Sequence, residues 1–265
     1  AFPGYAPGST PLTRAMRNGG AQWRPGRPAF LVSSTSWTPD EDFGILLRAL
    51  VALDRRVADP ASGLPQVLCV ITGKGPQRAA YEAEIAALNL KHAVIATAFL
   101  EPGDYPLLLG CADAGVCLHM SSSGLDLPMK VLDMYGAGLP VCAVNFQCLG
   151  ELVKDGVTGE VFEAEHDGGP DSLVAKLEGL LRGFAGGEAK KLEAMGKNVL
   201  ESEVFAVRWE ENWKRTLDAE VAEALAAPTG RQILSCFLYG LKLGTCFAVV
   251  LALLMHPEIL GLKSA

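Results

Sequence analysis

Between Phe30 and Val144, short runs of consecutive apolar residues alternate with stretches in which apolar residues return every three or four positions. Phe30-Leu31-Val32-Ser33-Ser34, Val67-Leu68-Cys69-Val70-Ile71, Val94 to Ala98, Gly115 to Leu118 and Val141 to Val144 have the length of strands and no polar alternation. Strands of that kind, each followed by a helix, predict an α/β fold with a parallel sheet covered by helices on both faces. After the first strand, Thr38-Pro39-Asp40-Glu41 reads as a capping box, with Thr38 as N-cap, Pro39 at the first helical position and Glu41 reaching back. Phe43, Leu46, Leu47, Leu50 and Val51 then line one helical face. The turn Thr72-Gly73-Lys74-Gly75-Pro76 leads into a helix carrying Tyr81, Ile85 and Leu88, and further helices are expected near 103–110 and 128–137. Past Gly159-Glu160-Val161-Phe162 the pattern is wholly helical, over 171–184, 188–200 and 206–226, until Pro228-Thr229-Gly230.

This periodicity divides the chain into three parts. Residues 1–28, rich in Pro, Gly and Arg, are expected to be a linker or the remnant of a preceding domain, and 29–227 form the globular domain. Residues 231–257 are expected to form a hydrophobic helix, a candidate membrane anchor. Its Ile233–Met255 stretch would extend about 34 Å, enough for a bilayer core. Lys242 near its middle costs roughly 3 kcal/mol on insertion, against about a dozen Leu, Ile, Val and Phe at roughly −0.3 to −0.6 kcal/mol each. Two readings stay open, a membrane anchor or a helix lying on a membrane surface or another domain.

With 265 residues and 49% hydrophobic content, the chain is long enough to bury a sizeable core. A net charge of −7 and the lack of any basic stripe argue against nucleic acid as a partner. The seven cysteines form no CxxC and no Cys/His spacing that suits zinc, so they are expected to be reduced, buried thiols. No asparagine begins an Asn-x-Ser/Thr sequon, which agrees with a chain kept out of the secretory lumen, and no signal peptide is read at the start.

The residues that carry chemistry gather where strands end. His119-Met120-Ser121-Ser122-Ser123-Gly124-Leu125-Asp126-Leu127-Pro128-Met129-Lys130-Val131-Leu132-Asp133 joins a strand end to a Ser/Gly loop and a proline at a helix start. Pro128 at the first helical position would aim free N–H groups back into that loop. Lys130 and Asp133, three apart on one face, suit a phosphate and a ribose diol respectively. Ser33 to Ser36 reach the same rim, and Gly73-Lys74-Gly75 opens a strand-to-helix turn where a backbone amide can approach a ligand. Plainer readings stand beside each of these: loop chemistry for the serines, a tight turn for the glycines, a solvated Lys74, a structural His119, a helix-capping Asp126 and a surface ion pair for Lys130 and Asp133. Asp40-Glu41-Asp42 fits the first turn of a helix better than a metal site.

Ser33-Ser34-Thr35-Ser36-Trp37-Thr38 with Asp40-Glu41-Asp42-Phe43, Cys69 to Pro76, Asp104-Tyr105-Pro106-Leu107-Leu108-Leu109-Gly110, the run from His119 to Asp133 and Gly138 to Phe146 together resemble the chitobiosyldiphosphodolichol β-mannosyltransferases, over roughly residues 28–216. Those are GT-B glycosyltransferases with two Rossmann-like halves, and the chain resembles the second. The resemblance implies a Rossmann-like donor-binding domain followed by C-terminal helices. The donor implied is GDP-mannose. The acceptor is dolichyl-diphosphate-linked GlcNAc2, held by the other half, and a β1,4-linked mannose is added with inversion at the cytosolic face of the endoplasmic reticulum membrane. A complex with other early dolichol-pathway glycosyltransferases goes with that setting.

Carried over by position, the donor-binding residues are Ser34, Gly73, Lys74, Gly75, His119, Ser123, Gly124, Leu125, Lys130 and Asp133. Asp133 falls on the ribose-binding carboxylate and Lys130 on a diphosphate-facing lysine. Many relatives bring an Arg and a Lys to the diphosphate from the loop after the first strand, whereas Ser34 to Thr38 here contains neither. No cofactor is predicted and no metal ligands are assigned; a divalent cation is not indicated by the sequence. The general base that inversion requires is expected in the other half, so the chain alone should bind donor weakly and turn over nothing. Two other classes compete with this reading: a catalytically inactive nucleotide-sugar-binding partner module, and an NAD-dependent oxidoreductase. The latter lacks the three-glycine fingerprint and an acidic residue at the end of the second strand.

Overall fold

The computed structural model describes residues 8–120, 123, 125–164, 168–202, 209–226 and 238. The chain divides into two compact units, residues 1–206 and 207–265. In the first, a hairpin of β1 (Thr13–Ala15) and β2 (Ala21–Trp23) precedes six strands: β3 (Ala29–Ser34), β4 (Val67–Thr72), β5 (Ala93–Ala98), β6 (Ala114–Cys117), β7 (Val141–Val144) and β8 (Gly159–Phe162). All six are parallel, in the order β5-β4-β3-β6-β7-β8. Counted within the sheet this is 3-2-1-4-5-6, the Rossmann order, whose direction of winding reverses between β3 and β6. The run Gly159–Phe162, to which the pattern gives no element, supplies the sixth strand at one edge.

The strands are continuous apolar runs because both faces are covered. Leu31 joins the cluster beneath α1 (Phe43–Val57) and α5 (Leu173–Leu181), which also takes Leu46, Leu50, Ile71 and Leu177. Its neighbour Val32 joins the opposite cluster with Val131, Met134 and Tyr135 of α4 (Met129–Gly136) and Leu109 of α3 (Tyr105–Cys111). Two further α-helices among the described residues of this unit are α2 (Arg78–Ala87) and α6 (Lys190–Glu201). In the second unit the stretch expected to be one helix over 206–226 is described as two, α7 (Trp209–Thr216) and α8 (Asp218–Ala226).

Three expectations change. The capping box does not form: α1 begins at Phe43, and Asp42 is its N-cap, accepting from the Gly44 N–H at 2.8 Å. Glu41 is drawn inward by buried partners, leaving Thr38 and Pro39 outside the helix. Pro128 is likewise the N-cap of α4, with extended backbone, and not its first helical residue. Residues 1–28, read as a linker, contain the β1–β2 hairpin. Arg27 ties this segment down, with paired 2.6 Å hydrogen bonds to Asp113 and its guanidinium over the rings of Trp23 and Phe184.

Among the described cysteines, Cys69, Cys117, Cys142 and Cys148 are buried free thiols, whereas Cys111 at the end of α3 is exposed. No helix among the described residues is long and apolar enough to cross a membrane. The hydrophobic segment 231–257 lies outside the described residues except for Leu238, as do Cys236 and Cys246.

The turn after β4 shows what its glycines do. A Cβ on Gly73 would lie 1.8 Å from the Thr35 carbonyl oxygen, and one on Gly75 would lie 1.7 Å from that of Ser36. The two loops at the strand ends therefore pack backbone to backbone, and any side chain at either glycine would force them apart. Gly75→Ala should cost about 2–4 kcal/mol in urea unfolding, because the clash is with main chain rather than a movable side chain. Gly110→Ala, on an open face of α3 where nothing lies within 4 Å, should instead stabilise by about 0.5–1 kcal/mol.

Candidate functional site

A parallel sheet of this order leaves a crevice at the carboxyl ends of the two strands where the winding reverses, here β3 and β6. Ser34 ends β3, and Leu118 and His119 follow β6. Ser34 Oγ and the Tyr105 hydroxyl are 2.9 Å apart, and the Tyr105 hydroxyl donates to Asp133 Oδ2 at 3.4 Å. Thr72 at the end of β4 donates to Ser34 Oγ at 3.3 Å. Side chains from β3, β4, α3 and α4 thus form one chain of hydroxyls ending on a carboxylate.

Asp133 is exposed, yet neighbouring protein displaces enough water to raise its carboxyl above the ordinary value, an effect the Tyr105 hydrogen bond partly opposes. Burial also raises the Tyr105 phenol. The ionised carboxylate on the open rim keeps acceptor capacity for a pair of vicinal hydroxyls.

Lys130 does not pair with Asp133. Its Nζ donates at 2.5 Å to Glu41 Oε1, and the Glu41 side chain is 1% exposed. Oε2 of the same carboxylate accepts from Thr35 Oγ1 at 2.6 Å and from the Ser36 N–H at 3.3 Å. Glu41 therefore binds the β3–α1 loop to α4 across the crevice. Trp37 completes that loop, buried against Phe43 and Tyr81 with ring centroids 4.9 and 5.8 Å away. Its φ of 51° is costly for a bulky residue and is held by this burial.

The other expected residues are distributed unevenly. His119 Nε2 lies 3.1 Å from Asp126 Oδ2, and Ser123 Oγ donates to Asp126 Oδ1 at 3.2 Å, so Asp126 staples its own loop and does not cap α4. The Leu125 side chain is solvent exposed. Gly124, with Ser121 and Ser122, lies outside the described residues. Lys74 is exposed, its Nζ 4.8 Å from the centre of the Phe99 ring. Gly73 and Gly75 spend their missing side chains on the loop carbonyls above. Among the described residues, no group of three His, Cys, Asp or Glu could hold a metal ion.

Sequence reasoning missed two residues that shape the crevice, Tyr105 and the inward-turned Glu41. A tyrosine preceding a proline after the third strand of the sheet, on the same rim as Ser34, was a usable signal for Tyr105; the Glu41 contact to Lys130 spans 89 residues and left none. A cavity of 650 Å³ lies at the other rim, lined by Arg27, Asp113, Pro140 and Phe184. It sits at the amino ends of β3, β6 and β7, away from the chemistry-bearing side chains. Tyr105→Phe should raise the Asp133 titration midpoint further above the usual carboxylate range, since it removes the one hydrogen bond holding it down; carboxyl-carbon NMR reads this directly.

The profile of the family Glycosyl transferases group 1 matches residues 21–201. The chain is 52% identical over 203 residues to chitobiosyldiphosphodolichol β-mannosyltransferase of Mus musculus, covering 77% of this chain and 40% of that protein. Against the Homo sapiens protein of that name it is 53% identical over 191 residues, 72% of this chain and 39% of the relative. An Arabidopsis thaliana relative named UDP-glycosyltransferase TURAN is 47% identical over 211 residues, 74% and 44%. The chain thus spans about two-fifths of the length of the curated relatives it matches. Among solved structures, a glycosyltransferase from Rickettsia africae superposes with a TM-score of 0.52 at 14% identity, over 71% of this chain and 47% of that one. Anabaena HepE in complex with UDP and glucose gives 0.51 at 19%, over 76% and 49%; both show the fold alone. With the sheet order and the profile in agreement, the chain belongs to the group 1 glycosyl transferases, and its sheet is the Rossmann-like fold of GT-B enzymes.

Proposed function

We propose that this chain is the donor-binding part of a β-mannosyltransferase that moves mannose from GDP-mannose to dolichyl-diphosphate-linked GlcNAc2, with inversion and a β1,4 linkage. The membrane involved is that of the endoplasmic reticulum, on its cytosolic face, and other early dolichol-pathway glycosyltransferases are the natural partners. The observation that carries the reading is the Ser34–Tyr105–Asp133 chain at the crevice between β3 and β6, with Lys130 on the same helix as Asp133. The names of the mouse and human relatives support mannose and dolichol.

Each residue has a task in this reading. Asp133 accepts the two ribose hydroxyls, and Tyr105 orients its carboxylate. Lys130, with N–H groups at the start of α4, faces the diphosphate that leaves when the glycosidic bond to mannose breaks. Gly73 and Gly75 lie beneath the phosphates by holding the two loops together, with Lys74 at their edge. His119, Ser123 and Leu125 stand beside the sugar, and Gly124 is assigned to the donor by its position in the sequence alone. The base that takes the acceptor hydroxyl proton is placed in the part of the enzyme that binds the lipid.

Calorimetric titration with GDP, GDP-mannose and UDP tests the donor. Binding of the guanine nucleotides in preference to UDP is expected, whereas UDP preference would sink the GDP-mannose assignment and favour the chemistry in the name of the Arabidopsis relative. Asp133→Ala should weaken guanosine and GDP alike by about tenfold or more while the fold survives. The wild-type affinity should fall on acidification, since a protonated Asp133 loses acceptors, and the decline should begin above the usual carboxylate pKa because burial raises this group.

A further inference from the structure

Lys130 is the cation best placed for a diphosphate, and it already has a counter-ion. Glu41 is almost fully enclosed and meets Nζ at 2.5 Å, while its second oxygen is occupied by Thr35 and Ser36. Asp40 is a further anion in the field of Lys130: its carboxyl is held low first by the Thr38 hydroxyl, and then also by the charges of Lys130 and His119. His119 lies against Asp126, Asp133 stands on the same helix, and Lys74 stands over Phe99. The β3–α1 loop from Ser34 to Thr38 carries no basic residue. Arg78, whose guanidinium reaches the Gly73 carbonyl at 3.3 Å, is paired with Glu82 at 2.8 Å. Among these described residues, the carboxylates around the part of the crevice that faces the phosphates thus balance or outnumber the cations.

We propose that Glu41 is a built-in counter-charge that sets nucleotide specificity: by cancelling Lys130 it makes the site recognise the nucleoside and gain little from each added phosphate. This rests on the nucleotide-site reading above. A buried carboxylate one lysine away from a diphosphate, about 5–8 Å from its nearest charge, still repels it enough at an effective dielectric near 20 to change affinity about tenfold or more. Burial keeps solvent from screening that repulsion as it would screen a surface charge. The consequence is weak retention of a nucleoside diphosphate, the leaving group of the proposed reaction.

The test is NMR titration of the full chain with guanosine, GMP and GDP up to millimolar ligand, without divalent cations, at low and high salt. Wild type should bind all three within about threefold of one another. Glu41→Gln keeps the size and a hydrogen-bond acceptor but removes the charge, so GDP should tighten about tenfold at low salt, guanosine should be unchanged, and the gain should shrink at high salt. A wild-type preference for GDP over guanosine of about thirtyfold or more overturns the inference, as does a folded Glu41→Gln protein that binds GDP no tighter; the nucleotide site survives either result. Should Glu41→Gln fail to fold, the wild-type series decides alone. If guanosine, GMP and GDP all fail to bind, the nucleotide-site reading falls and the inference with it.

Discussion

The hydrogen-bonded carboxylate of Glu41 is the constraint on which the arrangement of the rim depends. It accepts from a hydroxyl and an amide of the β3–α1 loop and from an ammonium of α4, so one side chain joins two elements whose spacing defines the crevice. Removing it would leave a buried threonine hydroxyl and a partly buried lysine without their acceptor, which costs more than the contact is worth in isolation. The glycines of the next turn act in the same direction. Gly73 and Gly75 let the β4–α2 turn press against the carbonyls of Thr35 and Ser36, and the Trp37 carbonyl accepts from the Gln77 amide at 3.0 Å. The floor of the site is held by main chain and one enclosed anion, leaving exposed side chains free for ligand.

A second layer of organisation follows from the sheet order. Because winding reverses between β3 and β6, Ser34 and the residues after Leu118 come to one place although more than eighty residues separate them. Tyr105 arrives from a third direction, at the start of α3, and converts a serine at a strand end and an aspartate on a helix into a continuous hydroxyl-to-carboxylate chain. That chain and the Glu41–Lys130 pair divide the crevice chemically, with acceptor chemistry on one side and a neutralised ion pair on the other.

The strands were readable from sequence because burial on both faces writes them as uninterrupted apolar runs; Val141–Val144 has the same bounds in both accounts. The edge strand Gly159–Phe162 was harder to see, since Glu160 interrupts its apolar run. That glutamate is itself buried, close to Lys176 and Lys191, a compensation that no local pattern shows. The placement of Lys130 and Asp133 on one helix was legible from their spacing. Their partners were not: Glu41 and Tyr105 are 89 and 28 residues away, and such contacts exist only once the sheet is assembled. The capping-box reading failed for the same reason, because a glutamate with a satisfactory local role found a better-enclosed one at long range.

The buried thiols give this sheet an internal clock. Burial pushes Cys69 in β4 up to about 12 and Cys117 in β6 up to about 11, and raises Cys142 in β7 as well, so none offers a thiolate to an alkylating reagent while the strands stay closed. Cys111, exposed at the end of α3, reacts without any opening. The rates at which the three strand thiols become accessible therefore time how often each strand parts from its neighbours, with the helical thiol as the reference for intrinsic reactivity.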